Sequence, residues 1–397
     1  MKKVLCLLAV VLMCALSVVP AFGAEKKDYS HLRGTEINVY NWGEYISDGS
    51  DDTMNVNALF EKETGIKVNY TTFDSNENMY NKLKSGGADY DIVIPSDYMI
   101  ERLIQEELVQ KIDFSNIPNY CNILPEYKNL YFDPDNEYSV PYNVGMVGVI
   151  YNTKVVEGNP DSWGLMWDEK YSGQIMNFNN PRDAFATAQW YGGYDINSTN
   201  GADWDAAYEL LKAQKPLVQS YVMDEVYNKM ESGEAAICAY YAGDFLSMYD
   251  NNPDLAFYYP KEGTNIFVDS ICIPKSSQNK EAAELYINFL LREDVALANA
   301  EYICYATPNK TVIENDSYSF KDNEILYPSK ENTPKTNYFH HLDSQTQLMM
   351  TSLWDNLKID GNENTGIYVG LISFCVISLA LIIFVKVRQK IRASYYD

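Results

Sequence analysis

Glu36-Ile-Asn-Val-Tyr-Asn-Trp-Gly-Glu-Tyr45 reads as a strand that runs straight into a turn carrying two aromatic rings and a carboxylate. Polar and apolar residues alternate from Glu36 to Tyr40, the period of a half-buried strand. Two more strands follow, each preceded by a helical stretch. Ile66–Tyr70 comes after a helix over Thr53–Thr64 that Gly65 stops. Tyr90–Pro95, centred on Asp91-Ile-Val-Ile94, comes after a helix over Glu77–Ser85 that Ser75 caps and Gly86-Gly87 end. Tyr98–Leu108 is helical again. Strands alternating with helices predict parallel βαβ units.

Beyond Pro141 the pattern restarts. A strand over Val147–Tyr151 is followed by helices over Pro181–Gly192 and Ala206–Lys215. A buried strand over Ala235–Tyr240, a strand over Ser270–Pro274 and a helix over Lys280–Arg292 complete the series. No repeat of fixed period and no low-complexity tract interrupts it. The expected fold is α/β, with two lobes that each carry a parallel-rich sheet.

Both ends of the chain differ from this middle. Lys2 and Lys3, the apolar run Val4–Val19 and the small residues around Ala21-Phe22-Gly23 have the anatomy of a secretory signal peptide, residues 1–23. Met13 is too bulky to make Cys14 a good lipidation site. Gly366–Val385 is twenty residues without a charge, at about 1.5 Å per residue enough to cross a ~30 Å hydrocarbon core. Lys386, Arg388, Lys390 and Arg392 follow it, so a type I single-pass orientation in the cell membrane is expected, with the ectodomain outside and residues 386–397 in the cytoplasm.

An ectodomain of about 340 residues exceeds one compact core and suits two lobes. The whole chain carries −24; without Lys2, Lys3, the four basic residues after the span and Asp397, the remainder carries about −29. Such a surface repels nucleic acid and is compatible with a cationic ligand or with plain solubility. Cys121, Cys238, Cys272 and Cys304 lie far apart, with no C-x-x-C and no nearby His cluster, which argues against a zinc site. Buried free thiols are expected, although a disulfide cannot be read from spacing alone.

In parallel α/β sheets ligands sit beyond the carboxyl ends of strands. Asn41-Trp42-Gly43-Glu44-Tyr45 follows the first strand and Pro95-Ser96-Asp97-Tyr98 the third. Asn179-Asn180-Pro181-Arg182-Asp183, Tyr240-Tyr241-Ala242-Gly243-Asp244 and Phe267-Val268-Asp269 follow later ones, and Tyr305 precedes Thr307-Pro308-Asn309. Each offers an acid, an aromatic ring or both. A small organic cation needs such walls: a buried ammonium needs a carboxylate, its methylenes need flat apolar surface, and ring faces attract the cation by about 0.5–2 kcal/mol each. At any single position, a helix cap or a core ring explains the same residue.

Asn41-Trp42-Gly43-Glu44-Tyr45, Glu61-Lys-Glu-Thr-Gly-Ile-Lys-Val68, Ser75-Asn-Glu-Asn-Met-Tyr-Asn-Lys-Leu-Lys84, Asp91-Ile-Val-Ile-Pro-Ser96, Val268-Asp269-Ser270 and Ala306-Thr-Pro-Asn309 resemble the spermidine/putrescine-binding proteins of ABC importers, in order from about residue 35 to 358. The resemblance implies a two-lobe periplasmic-binding fold with a hinge and an inter-lobe ligand cleft. It implies a polyamine ligand, delivery to ABC permease subunits, a monomeric receptor, no cofactor and no catalysis. Lobe 1 would take residues 35–142 and 264–318, and lobe 2 residues 143–263 and 319–358. A polar leader (24–34) and a spacer (359–365) would flank them. Carried over residue by residue, it sets Trp42 and Tyr45 on the alkyl chain, Glu44 on an amine, and Ser96 and Tyr98 on the same wall. Asp183 replaces a family acid, Tyr241 and Phe267 stand where tryptophans are usual, and Asp269 matches the main amine-binding aspartate. Tyr305 matches a pocket tyrosine, and Asp244 follows the putrescine-type pattern. Asn180 departs from the spermidine-type acid. Asp97, by its place between Ser96 and Tyr98, is expected to point elsewhere, and His340 falls near a family glutamine.

Three other classes compete. An enzyme would need a motif such as G-x-S-x-G, H-E-x-x-H or a Walker loop, and none is present. A Tyr-rich two-lobe chain could instead ligate ferric iron through phenolates, which a charge-transfer band would reveal. A membrane-tethered sensor would need a cytoplasmic output domain, for which the twelve residues after Val385 are too few.

Overall fold

The computed structural model describes residues 27–86 and 89–359. The alternating run with which the sequence opens becomes β1 (Glu36–Trp42), and Ile37 and Val39 are completely buried on one face of it. It leads through α1 (Val56–Thr64), β2 (Lys67–Phe73), α2 (Asn76–Lys84) and β3 (Ile92–Val93) to α3 (Asp97–Gln105). Local chemistry sets the boundaries. Gly65 leaves α1 at φ +76°, a conformation that glycine adopts without steric cost. The Ser75 hydroxyl accepts the Asn78 backbone N–H at 3.2 Å and caps α2.

The second half contains β4 (Ser139–Asn152), β5 (Ile175–Phe178), α4 (Pro181–Gly192), α5 (Gly201–Gln214), β6 (Val218–Val222), α6 (Val226–Glu231), β7 (Ile237–Tyr241) and α7 (Ala242–Asn251). The described residues close with β8 (Leu255–Tyr258), β9 (Thr264–Cys272), α8 (Lys280–Leu290), α9 (Glu293–Ile303), α10 (Lys310–Ile313), β10 (Thr336–Asn337) and α11 (Ser344–Ile359).

The strands join in the order β2-β1-β3-β9-β4-β7-β5-β6, with β8 added to β4 and β10 to β9. β2, β1 and β3 are mutually parallel at one end, and β7, β5 and β6 at the other. Between them β9 and β4 run antiparallel to each other, β9 antiparallel to β3 and β4 antiparallel to β7, while the short β10 joins β9 in parallel. Parallel βαβ units therefore form the two ends, and two long crossing strands join them.

β4 explains why the sequence pattern appears to restart at Pro141. The proline sits inside a strand of fourteen buried residues, where its missing N–H breaks the ladder. Pairing shifts register between Pro141 and Asn143, so a strand that reads as Val147–Tyr151 begins at Ser139. β4 pairs with β9 as far as Met146 and with β7 from Val147 onward. β9 similarly begins at Thr264; the pattern suggests a start at Ser270 because Asp269 interrupts what would otherwise be an apolar run. Its full length is nonetheless almost wholly buried.

One apolar cluster packs Ile37, Val39 and Ile92 of the sheet against Phe60, Tyr286 and Ile287. A second begins on the other face of β1 at Tyr40 and extends through Tyr98, Phe178 and Trp204. Cys238, Cys272 and Cys304 are buried free thiols, whereas Cys121 is free but exposed. Among the described residues no helix is long and apolar enough to cross a membrane. The expected signal peptide (1–23) and span (Gly366–Val385) lie outside the described residues.

Candidate functional site: a cleft of tyrosine–aspartate pairs

The strand ends converge. A cavity of about 70 Å³ lies where β1, β3, β5, β6 and β7 stop and against the middle of β9, and ten of the eleven residues expected there line it: Trp42, Tyr45, Ser96, Tyr98, Asp183, Tyr241, Asp244, Phe267, Asp269 and Tyr305. Phe267 and Asp269, expected just beyond a strand, lie inside β9, which continues paired with β4 to Cys272. The one expected residue outside the lining is Glu44. In the turn after β1 it takes φ +48°, a left-handed conformation uncommon for a side chain of this size. That conformation sends it to the exposed surface, where Tyr302 Oη approaches its carboxylate at 3.4 Å. The preceding Gly43 lines the cavity in its place.

The aromatic residues do more than wall the cavity. Tyr45 Oη donates to Asp269 Oδ2 at 2.6 Å, and Tyr241 Oη to Asp183 Oδ2 at 2.8 Å. Tyr227 and Tyr305 donate to the two oxygens of Asp244, at 2.5 and 2.9 Å. Asn180, which caps α4, adds Nδ2–H to Asp183 Oδ2 at 2.6 Å. Each buried carboxylate is thereby held by phenol donors that cannot neutralise it. Asp269 Oδ1 remains buried with no protein partner.

Removal from water dominates the electrostatics. Burial pushes the carboxyls of Asp183 and Asp244 up to about 7 and that of Asp269 to about 6, against the phenol hydrogen bonds that pull them down. No lysine or arginine is hydrogen-bonded or ion-paired to any of the three among the described residues. Uncompensated buried negative charge of this kind is matched by a cation or by protons.

Two close approaches shape the walls. A Cβ on Gly243, in the first turn of α7, would stand 2.1 Å from the Tyr305 ring, and one on Gly145 of β4 would stand 2.2 Å from Phe267. Both rings therefore lie directly on backbone. Tyr305 and Tyr45 meet edge to face at 5.3 Å, and Tyr241 and Phe267 at 5.5 Å. Trp42 tilts against Phe73 at 4.5 Å.

Sequence reading placed Asp97 elsewhere, and the structure corrects this. Asp97 lines the cavity and is fully buried, accepting the Tyr98 backbone N–H at 2.7 Å. As the first residue of α3 it turns its carboxylate back onto the helix terminus, which strand-type alternation cannot anticipate. Asp224 and Tyr227 were missed because β6 is too short and too mixed in burial to be read as a strand. Had it been recognised, Met223-Asp224 would have stood at a strand end like the others. Asn76, Asn265 and Phe339 also line the cavity and carry no local signal. His340 is not among the lining residues; its carbonyl oxygen accepts from Arg182 at 3.2 Å.

Residues 57–327 match the family described as bacterial extracellular solute-binding protein. The "Spermidine/putrescine-binding periplasmic protein" of Salmonella typhimurium is 38% identical over 299 residues, covering 75% of this chain and 84% of that protein. Its Escherichia coli counterpart is 37% identical over 295 residues, with 74% and 83% covered. A solved structure described as a putative spermidine/putrescine ABC transporter from Listeria monocytogenes superposes with a TM-score of 0.78 at 35% identity, covering 82% of this chain and 99% of that one. The two-lobe fold, the cleft at its strand ends and this likeness agree: the chain belongs to the family of bacterial extracellular solute-binding proteins that includes the spermidine/putrescine-binding periplasmic proteins.

Proposed function

We propose that this protein is an extracytoplasmic receptor for polyamines of the putrescine and spermidine class, which it passes to an ABC-type permease. The observation that carries this reading is the set of buried aspartates, Asp183, Asp244 and Asp269, held by phenols and hydrogen-bonded to no lysine or arginine among the described residues, with Asp269 Oδ1 left unpartnered and the buried Arg182 acting on Asp183 only through space. An ammonium group supplies both the missing charge and the missing donors. Trp42, Tyr45, Tyr241, Phe267 and Tyr305 offer the methylene chain flat faces and attract the charge at its ends. Ser96 and Tyr98 complete one wall.

Binding is expected to draw the lobes together about β4 and β9, since Tyr305 Oη already reaches across the cleft to Asp244 at 2.9 Å. The change of partner along β4 after Met146 supports a crossing close to the expected boundary between residues 142 and 143. The type I topology forms part of the same proposal, resting on the uncharged run Gly366–Val385 and its basic flank. Such a tether would raise the receptor's effective concentration beside its permease.

Calorimetric titration of residues 24–362 with putrescine, cadaverine, spermidine and spermine tests the reading. Ligand at a hundredfold over its Kd should add about 2.7 kcal/mol of stability. Neutral sugars and amino acids should add none. A protein that binds none of the four amines at millimolar concentration is not a polyamine receptor.

A further inference from the structure

Glu44, the acid that family resemblance sets on an amine, is exposed and outside the cavity. An acid of the facing wall lies close to the place it would have filled. Asp224 follows β6 and lines the cavity while also being exposed, which puts it at the opening. We propose that Asp224, rather than Glu44, binds the outer ammonium group of a bound diamine, and that the bare backbone of Gly43 is what admits its carboxylate.

Three observations meet here. Asp224 Oδ2 lies 2.6 Å from where a Cβ on Gly43 would stand, so any side chain at position 43 would displace the carboxylate. Among the described residues that carboxylate has no hydrogen-bond or ion-pair partner. Loss of water raises its carboxyl above the ordinary range, and the nearby charges, Glu44, Glu225 and Asp74, are all negative and add to the rise. An anion held partly out of water among like charges is stabilised by a cation from outside. Independently, Asp269 is 3% exposed and presents an unpartnered Oδ1 in the same cavity. Two carboxylates awaiting donors, one deep on β9 and one at the opening, match a ligand charged at both ends. Trp42, which lines the same cavity, serves its methylenes.

The inference rests on the polyamine reading and adds a specificity determinant to it. It predicts selection for a second ammonium group, which a comparison of putrescine with n-butylamine isolates. Wild type, Asp224→Asn and Glu44→Gln would be titrated with both by calorimetry. Wild type should prefer putrescine; Asp224→Asn should weaken putrescine about tenfold and leave n-butylamine within about twofold. Glu44→Gln should leave the preference intact. Gly43→Ala should weaken putrescine in the wild-type background and have no further effect beside Asp224→Ala, with melting curves of the free proteins confirming that every variant folds.

Retention of the full putrescine preference by Asp224→Asn, or its loss in Glu44→Gln, overturns the assignment. If the variants instead lose both amines equally, Asp224 is a closure contact and the assignment also fails. Should wild type bind neither amine nor any longer polyamine, the function proposed above falls first and this inference with it.

Discussion

Replacing Asp269 by asparagine should move stability and affinity in opposite directions. The carboxyl lies on β9, 3% exposed, and burial lifts it to about 6 against the hydrogen bond from Tyr45. The sign follows from the raised value. The folded empty protein keeps the Asp269 proton to higher pH than the unfolded chain does, so stability falls as pH rises from about 4 to about 6 and stays lower above that. A rise of roughly two pK units corresponds to a destabilisation of about 3 kcal/mol at pH 8. Asparagine has the same shape, retains an acceptor for Tyr45 Oη and carries no charge. It leaves amide hydrogens to be satisfied, at about 1–3 kcal/mol. The net expectation at pH 8 is a gain of about 0–2 kcal/mol, at about 2–4 °C per kcal/mol a rise of up to a few degrees in Tm. At pH 4 the gain should disappear. Binding should suffer, because the ligand's ammonium then meets no charge: a loss of about 2–5 kcal/mol in putrescine affinity. Scanning calorimetry at both pH values, with and without putrescine, reads all of these effects, and Glu44→Gln serves as the exposed control. A variant that melts lower than wild type at pH 8 when empty, or that binds putrescine undiminished, would show that the charge on Asp269 is not what the cleft holds ready.

Three further outcomes are expected. Since burial holds Asp183 and Asp244 near 7 and a bound ammonium favours their ionised forms, binding should expel protons below pH 7. Putrescine affinity should then weaken from pH 8 to pH 6, and the heat of binding should depend on the buffer; a flat profile contradicts this. Gly243→Ala should push the Tyr305 ring off α7, break its 2.9 Å bond to Asp244 and weaken binding about tenfold, the typical overpacking loss being 1–3 kcal/mol. Unchanged affinity would mean that the ring's seat is unimportant. In spheroplasts, external protease should digest the ectodomain of the full-length chain yet spare a C-terminal epitope, while a chain ending at residue 362 should fractionate as soluble. Full-length protein in the soluble fraction would rule out the tether without touching the ligand.

Local pattern carried the architecture far. Alternation in Glu36–Tyr40, the Ser75 cap and the Gly65 stop are decided by neighbours in sequence, and they are legible there because backbone preferences act over a few residues. The expectation of a site beyond strand ends then pointed to Trp42, Asp183 and Tyr241, which line the cavity, since strand ends are local features too; Asp269 lines it from inside β9, whose continuation to Cys272 the local pattern did not show. Other features required the fold. Whether Glu44 enters the cleft depends on one left-handed residue in a turn, and whether Asp97 does depends on how α3 begins. Neither is a matter of residue type. Pro141 looked like a boundary because a missing N–H normally ends a strand, yet β4 absorbs it by a register shift against β9. Only packing brings Asp224 of one wall over Gly43 of the other. The pairing of Tyr305 with Asp244, and of Tyr45 with Asp269, joins residues far apart in the chain through crossing strands that short-range physics cannot place.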